Sequence, residues 1–201
     1  LEDSCPTEWG DSTMDRQGCP DSDGDGWSDP SPNWNLSQGA DAFPNDATQW
    51  SDADGDGYGD NPMGTTPDGC ISEIGNSSAN NTLGCPDADG DGWADHQDAF
   101  DDEPTQWSDT DGDGYGDNWA NASWNESHSQ SAFGIWLENA YQPDYCPSFG
   151  GNSTVDVFGC YDEDGDGLSI LADLCPRTMS NMTADEFGCA SNQVDADSDG
   201  K

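Results

Sequence analysis

The chain has 201 residues, with 43 Asp or Glu against 3 Lys or Arg and a formal net charge of -40 at pH 7. A surface this acidic repels nucleic acid and anionic membranes, so neither is an expected partner. Leu, Ile, Val and Phe together number only 20, too few for an ordinary hydrophobic core, and the longest aliphatic-aromatic run, Ile135-Trp136-Leu137, falls far short of a membrane-inserting span.

In chain order the sequence is a series of repeats. Residues 1–69 contain Cys5 and Cys19 followed by two acidic loops, Asp21-x-Asp23-Gly-Asp25-Gly-Trp27-x-Asp29 and Asp52-x-Asp54-Gly-Asp56-Gly-Tyr58-x-Asp60. Residues 70–145 repeat the plan with Cys70 and Cys85, then Asp87-x-Asp89-Gly-Asp91-Gly-Trp93-x-Asp95 and Asp109-x-Asp111-Gly-Asp113-Gly-Tyr115-x-Asp117, with an aromatic insertion over 119–142. The two long units also share Asp41-Ala-Phe43 with Asp98-Ala-Phe100, and Thr-Gln-Trp50 with Thr-Gln-Trp107. Residues 146–174 form a short unit with Cys146, Cys160 and Asp162-x-Asp164-Gly-Asp166-Gly-Leu168. Residues 175–201 begin a further unit with Cys175, Cys189 and a shortened motif, Asp195-x-Asp197-x-Asp199-Gly200.

Gly and Asp dominate, and no window sustains strand alternation. The expected fold is therefore a mostly irregular, disulfide-rich linear array in which each unit contacts its neighbours. One stretch predicts a short helix over 130–142, where Phe133, Trp136, Leu137, Ala140 and Tyr141 recur at helical spacing, Ser129 or Ser131 can cap and Pro143 stops the run.

Carboxylates at positions 1, 3 and 5 with Gly at 6 let a loop wrap tightly around one point, the arrangement that holds a hard cation. Position 7 (Trp27, Tyr58, Trp93, Tyr115 or Leu168) offers a carbonyl. No loop has the Glu that closes an EF-hand at position 12, although Asp98 and Asp173 stand there. The others are expected to close through the position 9 Asp: Asp29, Asp60 and Asp117, with Asp95 at the same place in the third loop. All-oxygen ligands favour calcium over zinc, and calcium accepts less regular coordination than magnesium. The expected cofactor is about one calcium ion or more per loop. Asp15, Asp156 and Asp185 are candidates for additional ligands.

The stretch Cys146-Pro-x9-Asp156-x2-Gly159-Cys160-x-Asp162-x-Asp164-Gly-Asp166-Gly-x5-Asp173-x-Cys175-Pro resembles the thrombospondin type 3 repeat, found in extracellular and microbial surface proteins. Residues 5–29 and 85–98 match closely, and residues 30–69 and 99–145 more loosely. The resemblance implies repeats that wrap around calcium, with little regular structure and disulfide staples. The eight cysteines group by spacing into sequential pairs, Cys5 with Cys19, Cys70 with Cys85, Cys146 with Cys160 and Cys175 with Cys189. Vertebrate members of the family pair cysteines between neighbouring repeats, so both schemes stand open at this point.

An even cysteine count in a coreless chain points to an oxidising, extracellular or cell-surface setting. Glycosylation sequons occur at Asn35, Asn76, Asn80, Asn121, Asn125, Asn152 and Asn181, with Asn76, Asn152 and Asn181 in register six residues after the first Cys of a pair. The periodic carboxylates are explained by metal ligation, and no nucleophile–base constellation accompanies them, so the chain is not expected to be an enzyme. The expected function is structural: a calcium-rigidified, glycosylated stalk or filament segment that self-associates, with Lys201 of one copy meeting Leu1 of the next. Two alternatives are a spacer bearing an adhesive or carbohydrate-binding surface on the 119–142 insertion, and calcium storage or mineral templating.

Overall fold

The computed structural model describes residues 3–124, 128 and 134–194. The chain divides into two compact units, Leu1–His96 and Gln97–Lys201. Among the described residues, the named elements are two 3₁₀ turns, Leu36–Gln38 and Ala122–Trp124. Isolated bridges such as Asp68 with Leu83 and Asp144 with Phe158 replace sheets. The fold is thus irregular, as the Gly- and Asp-rich sequence predicts.

Four disulfides join Cys5–Cys19, Cys70–Cys85, Cys146–Cys160 and Cys175–Cys189, with Cα separations of 5.0 to 5.1 Å. The pairing is sequential, and each bridge closes a short coil that could not bury enough apolar surface to order itself. In the first three coils the same buried Ser hydroxyl, Ser12, Ser77 or Ser153, accepts the amide of the second cysteine. Gly10, Gly75 and Gly151 press so closely on that cysteine that a Cβ would lie 1.9 to 2.0 Å from its carbonyl carbon. No other residue fits there.

Each of these coils is welded to the loop that follows it. Two successive amides donate to one loop carbonyl: Thr13 and Met14 to Gly26, Ser78 and Ala79 to Gly92, Thr154 and Val155 to Gly167. Asp15 and Asp156 add a second weld, each accepting both the amide and hydroxyl of a buried serine, Ser28 or Ser169.

The buried centre is correspondingly polar. Gln49, Gln106, Asn118, Asp41, Asp117 and Asp144 are among the largest fully enclosed side chains, alongside Cys19, Cys85 and Cys160. Gln106 shows why: its Nε2 donates to the carbonyls of Asn118 (3.1 Å) and Tyr141 (2.8 Å), and its Oε1 accepts the Asn118 amide (3.0 Å). Gln49 makes the equivalent pair of bonds to Asn61 in the first unit. One side chain thereby satisfies backbone groups that sheets and helices satisfy elsewhere.

The helix predicted over 130–142 does not form across its described part. Residues 130–133 lie outside the described residues. Gly134, Asn139 and Gln142 adopt positive φ, which interrupts any helix. The segment instead pairs with the chain before it: Trp119 donates to Ile135, Leu137 donates to Trp119, and Ile135 donates to the Asn118 side chain. These non-local bonds outweigh the helical spacing of the aromatic residues. Trp119 and His128 are buried and pack with Trp124 and Tyr145, whereas Trp136 and Tyr141 stay about half exposed.

Candidate metal centre

The five complete loops share one hydrogen-bond skeleton. The first Asp accepts the amide of the position 4 glycine on Oδ1 at 2.7 to 2.8 Å, and that of the position 6 glycine on Oδ2 at 2.8 to 3.0 Å. The third Asp accepts the position 7 amide, from Trp27, Tyr58, Trp93, Tyr115 or Leu168, on its Oδ1. Both loop glycines have positive φ, which turns the backbone tightly enough for the three carboxylates to converge. In the loops starting at Asp21, Asp52, Asp87 and Asp109, oxygens of the three carboxylates lie within 4.8 Å of one another. These Asp triplets can hold a metal ion.

A backbone bond closes the base of every loop. The position 9 amide donates to the carbonyl just before the first Asp, at 2.8 to 2.9 Å, from Asp29, Asp60, Asp95, Asp117 and also Ile170. Ile170 can therefore stand in a place otherwise occupied by Asp. The position 9 side chains bond back to the start of their loops: Asp29 to Ser22, Asp60 to Ser51 and Ala53, Asp95 to Ala88, and Asp117 to Thr110. They brace the loop from outside the triplet.

The fourth carboxylate comes from farther along the chain. Asp41, Asp68, Asp144 and Asp173 each use Oδ1 to accept the amide two residues on, from Phe43, Cys70, Cys146 or Cys175. The carboxylates of the preceding triplets act on them as neighbouring charges. A Cβ placed on Gly84 would lie 2.6 Å from Asp68 Oδ1 and 2.9 Å from Asp56 Oδ2. Gly159 relates Asp144 to Asp113, and Gly188 relates Asp173 to Asp166, in the same way. Asp98 keeps the same local bond to the Phe100 amide.

The electrostatics of these groups suit a cation. Among the described residues, Oδ2 of Asp23, Asp25, Asp41, Asp54, Asp68, Asp91, Asp144 and Asp166, and both oxygens of Asp111, are buried with no hydrogen-bond donor. Burial, reinforced by neighbouring carboxylates, pushes the Asp41 carboxyl up to about 7 and that of Asp144 up to about 8. Burial also raises Asp25, Asp68, Asp91, Asp111 and Asp173. A buried carboxylate with a bare oxygen beside like charges is costly unless a positive ion compensates it. The donor set, all hard oxygens, matches a hard divalent cation.

The three candidate extra ligands have other duties. Asp156 is pushed up by burial, but its bonds from Ser169 outweigh that and hold it below the usual carboxylate range. Asp15 also accepts the Trp34 indole N–H, and Asp185 accepts the amides of Phe187 and Cys189. His96 approaches Cys70 and Cys85, but both sulfurs are spent in a disulfide.

Asp195, Asp197, Asp199 and Asn125 lie outside the described residues. The six other sequon asparagines, Asn35, Asn76, Asn80, Asn121, Asn152 and Asn181, are exposed. Asp41, Asp68 and Asp144 are the site residues that sequence reasoning missed. A signal for them exists, because Asp68, Asp144 and Asp173 each stand two residues before a first cysteine, and Asp41 and Asp98 two residues before a Phe.

No family model matches the chain, and no curated protein matches it significantly.

Proposed function

We propose that the protein is an extracellular structural calcium-binding repeat protein, a glycosylated stalk or filament segment that calcium makes rigid. The observation that supports this best is the recurrence of convergent Asp triplets with buried, donorless oxygens in a chain without a hydrophobic core. Calcium supplies the compensation that helices, sheets and apolar packing supply elsewhere. Magnesium is the weaker fit, because it keeps several waters and demands a strict octahedron, whereas these loops bring several carboxylates to one point.

The resemblance to thrombospondin type 3 repeats points the same way, as do four disulfides, common in extracellular proteins. Among the described residues no helix is long and apolar enough to cross a membrane. We read the protein as non-enzymatic, its clustered carboxylates serving as ligands and braces. The exposed asparagines are the positions for N-linked glycans in a host that attaches them.

Small-angle scattering with calcium and after chelation, disulfides intact, tests the reading. A compact globule of this length gives a radius of gyration of about 17 Å and an unfolded chain about 48 Å. A rod-like profile in calcium that turns coil-like on chelation is expected. A profile indifferent to calcium overturns the structural role and favours ion storage. Deleting residues 119–142 separates the adhesive alternative, which predicts lost partner binding with an intact rod.

A further inference from the structure

An Asp–Gly peptide bond carries a chemistry of its own. The glycine nitrogen, with no Cβ beside it to hinder the approach, can attack the preceding side-chain carboxyl and close a ring that reopens to isoaspartate. Two restraints oppose this: a hydrogen bond that occupies the glycine N–H, and one that fixes the direction of the aspartate carboxyl. Each of the five complete loops contains two such peptide bonds, at positions 3–4 and 5–6, and Asp68–Gly69 adds another.

The glycine restraint is present at all of these. In each loop the position 4 and position 6 amides donate to the first Asp, and the Gly69 amide donates to the Leu83 carbonyl at 2.8 Å. The carboxyl restraint is missing from one. Every position 5 Asp accepts the position 7 amide, and Asp68 accepts the Cys70 amide. At position 3, Asp23, Asp54, Asp89 and Asp164 accept the position 5 amide at 3.1 to 3.3 Å. Asp111 does not. The Asp113 amide goes instead to Asp109 Oδ1 (3.3 Å), and both oxygens of Asp111 are left without a donor. That same Asp109 oxygen also holds the Gly112 amide (2.8 Å), so one acceptor serves two donors.

We propose that Asp111–Gly112 is a modification site, the bond at which the folded chain converts spontaneously to isoaspartate. The Gly112 nitrogen bonds to Asp111 Cγ, and the carboxyl hydroxyl leaves as water with the amide proton. Water then adds to the main-chain carbonyl carbon of Asp111 and breaks its bond to nitrogen. The backbone now runs through Cβ and Cγ, the old main-chain carbonyl has become the carboxyl, and the mass is restored with no reactant beyond water. The chain gains one backbone atom between positions 3 and 4, so the carboxylates of Asp109, Asp111 and Asp113 no longer converge. Ring closure depends on these hydrogen bonds whether or not an ion is present, and only the loss of a binding loop rests on the calcium reading.

Ageing of the disulfide-bonded 201-residue chain at neutral pH in calcium, followed by digestion and electron-transfer fragmentation, locates the product. The same chain, reduced and unfolded in urea, gives the intrinsic rate at each bond. In the folded chain isoaspartate is expected to form at Asp111 about two- to tenfold faster than at Asp23, Asp54, Asp89 and Asp164, the factor that one hydrogen bond contributes. In urea the five rates converge. Asp111→Glu, which would have to close a larger ring, should abolish the product there and leave the other loops unchanged. Equal rates at the five positions in the folded chain, or a lead of Asp111 that persists undiminished in urea, overturns the proposal and leaves the calcium reading standing. A signal that survives in Asp111→Glu belongs to Asp113 and overturns it too. A parallel calcium titration followed by tryptophan fluorescence separates the two readings: a chain that binds no calcium removes the calcium reading, and the comparison of folded with unfolded chain still decides the site.

Discussion

Replacing Asp144 by Asn should change stability in opposite directions with and without calcium. The Asn side chain keeps an acceptor for the Cys146 amide, so the local turn survives. In the metal-free protein, burial and then Asp113, Asp111 and Asp117 push the Asp144 carboxyl from 3.8 to about 8. A raised acid favours folding below its unfolded value, and that advantage is lost as pH rises toward the folded value. At pH 7 the wild type must hold a proton about three pH units above its ordinary range, roughly 4 kcal/mol, which solvent screening of the neighbouring carboxylates reduces to about 2 kcal/mol. Asp144→Asn escapes this cost and should be more stable than wild type by about that amount in EGTA at pH 7, and by under about 1 kcal/mol at pH 5. In calcium the proposed ligand role of Asp144 reverses the sign, and affinity for the ion should fall at least about tenfold. Thermal unfolding followed by tryptophan fluorescence, with a calcium titration at each pH, measures both arms. A variant no more stable than wild type in EGTA that also binds calcium with unchanged affinity would refute the argument.

The closing and bracing aspartates should separate in the same way. Asp68→Asn is expected to weaken one calcium site at least about tenfold, whereas Asp60→Asn, which keeps an acceptor for the Ala53 amide and loses the one for the Ser51 hydroxyl, should cost less than about tenfold. Calorimetric titration would show the order, and the reverse order would return the ligand role to position 9. Gln106→Ala strands two backbone groups of buried Asn118 and the Tyr141 carbonyl, and should cost about 3 to 5 kcal/mol in calcium-saturated denaturation. Gln49→Ala, with two such bonds, should cost about 2 to 3 kcal/mol, and equal losses would argue against the Tyr141 bond.

Local composition determined much of this protein. The acidic repeat, the coreless composition and the even cysteine spacing are properties of the chain read in order. They are enough to expect an irregular fold, sequential cysteine groups and convergent triplets, because positions 1, 3 and 5 of a Gly-containing loop meet through local turns alone. Gly59 and Gly116 lie beyond such reading. A Cβ there would strike the Gln49 or Gln106 side chain at about 2 Å, and the glutamines reveal their purpose only when the chain returns past them.

Tertiary structure decided which aspartates lie against the triplets beginning at Asp21, Asp52 and Asp109. Asp41, Asp68 and Asp144 are distant in sequence from the loops they face, and their offsets differ because connecting segments of different length fold between. Asp29, Asp60 and Asp117 sit nearer in sequence but are drawn to Ser22, Ser51 and Thr110 by the backbone bond that closes the loop base. The segment after Gly134 was decided likewise, since the Trp119 backbone and the Asn118 side chain offered it partners that helical spacing could not disclose. A linear pattern fixes which groups are available to a site. The return path of the chain fixes which of them reach it.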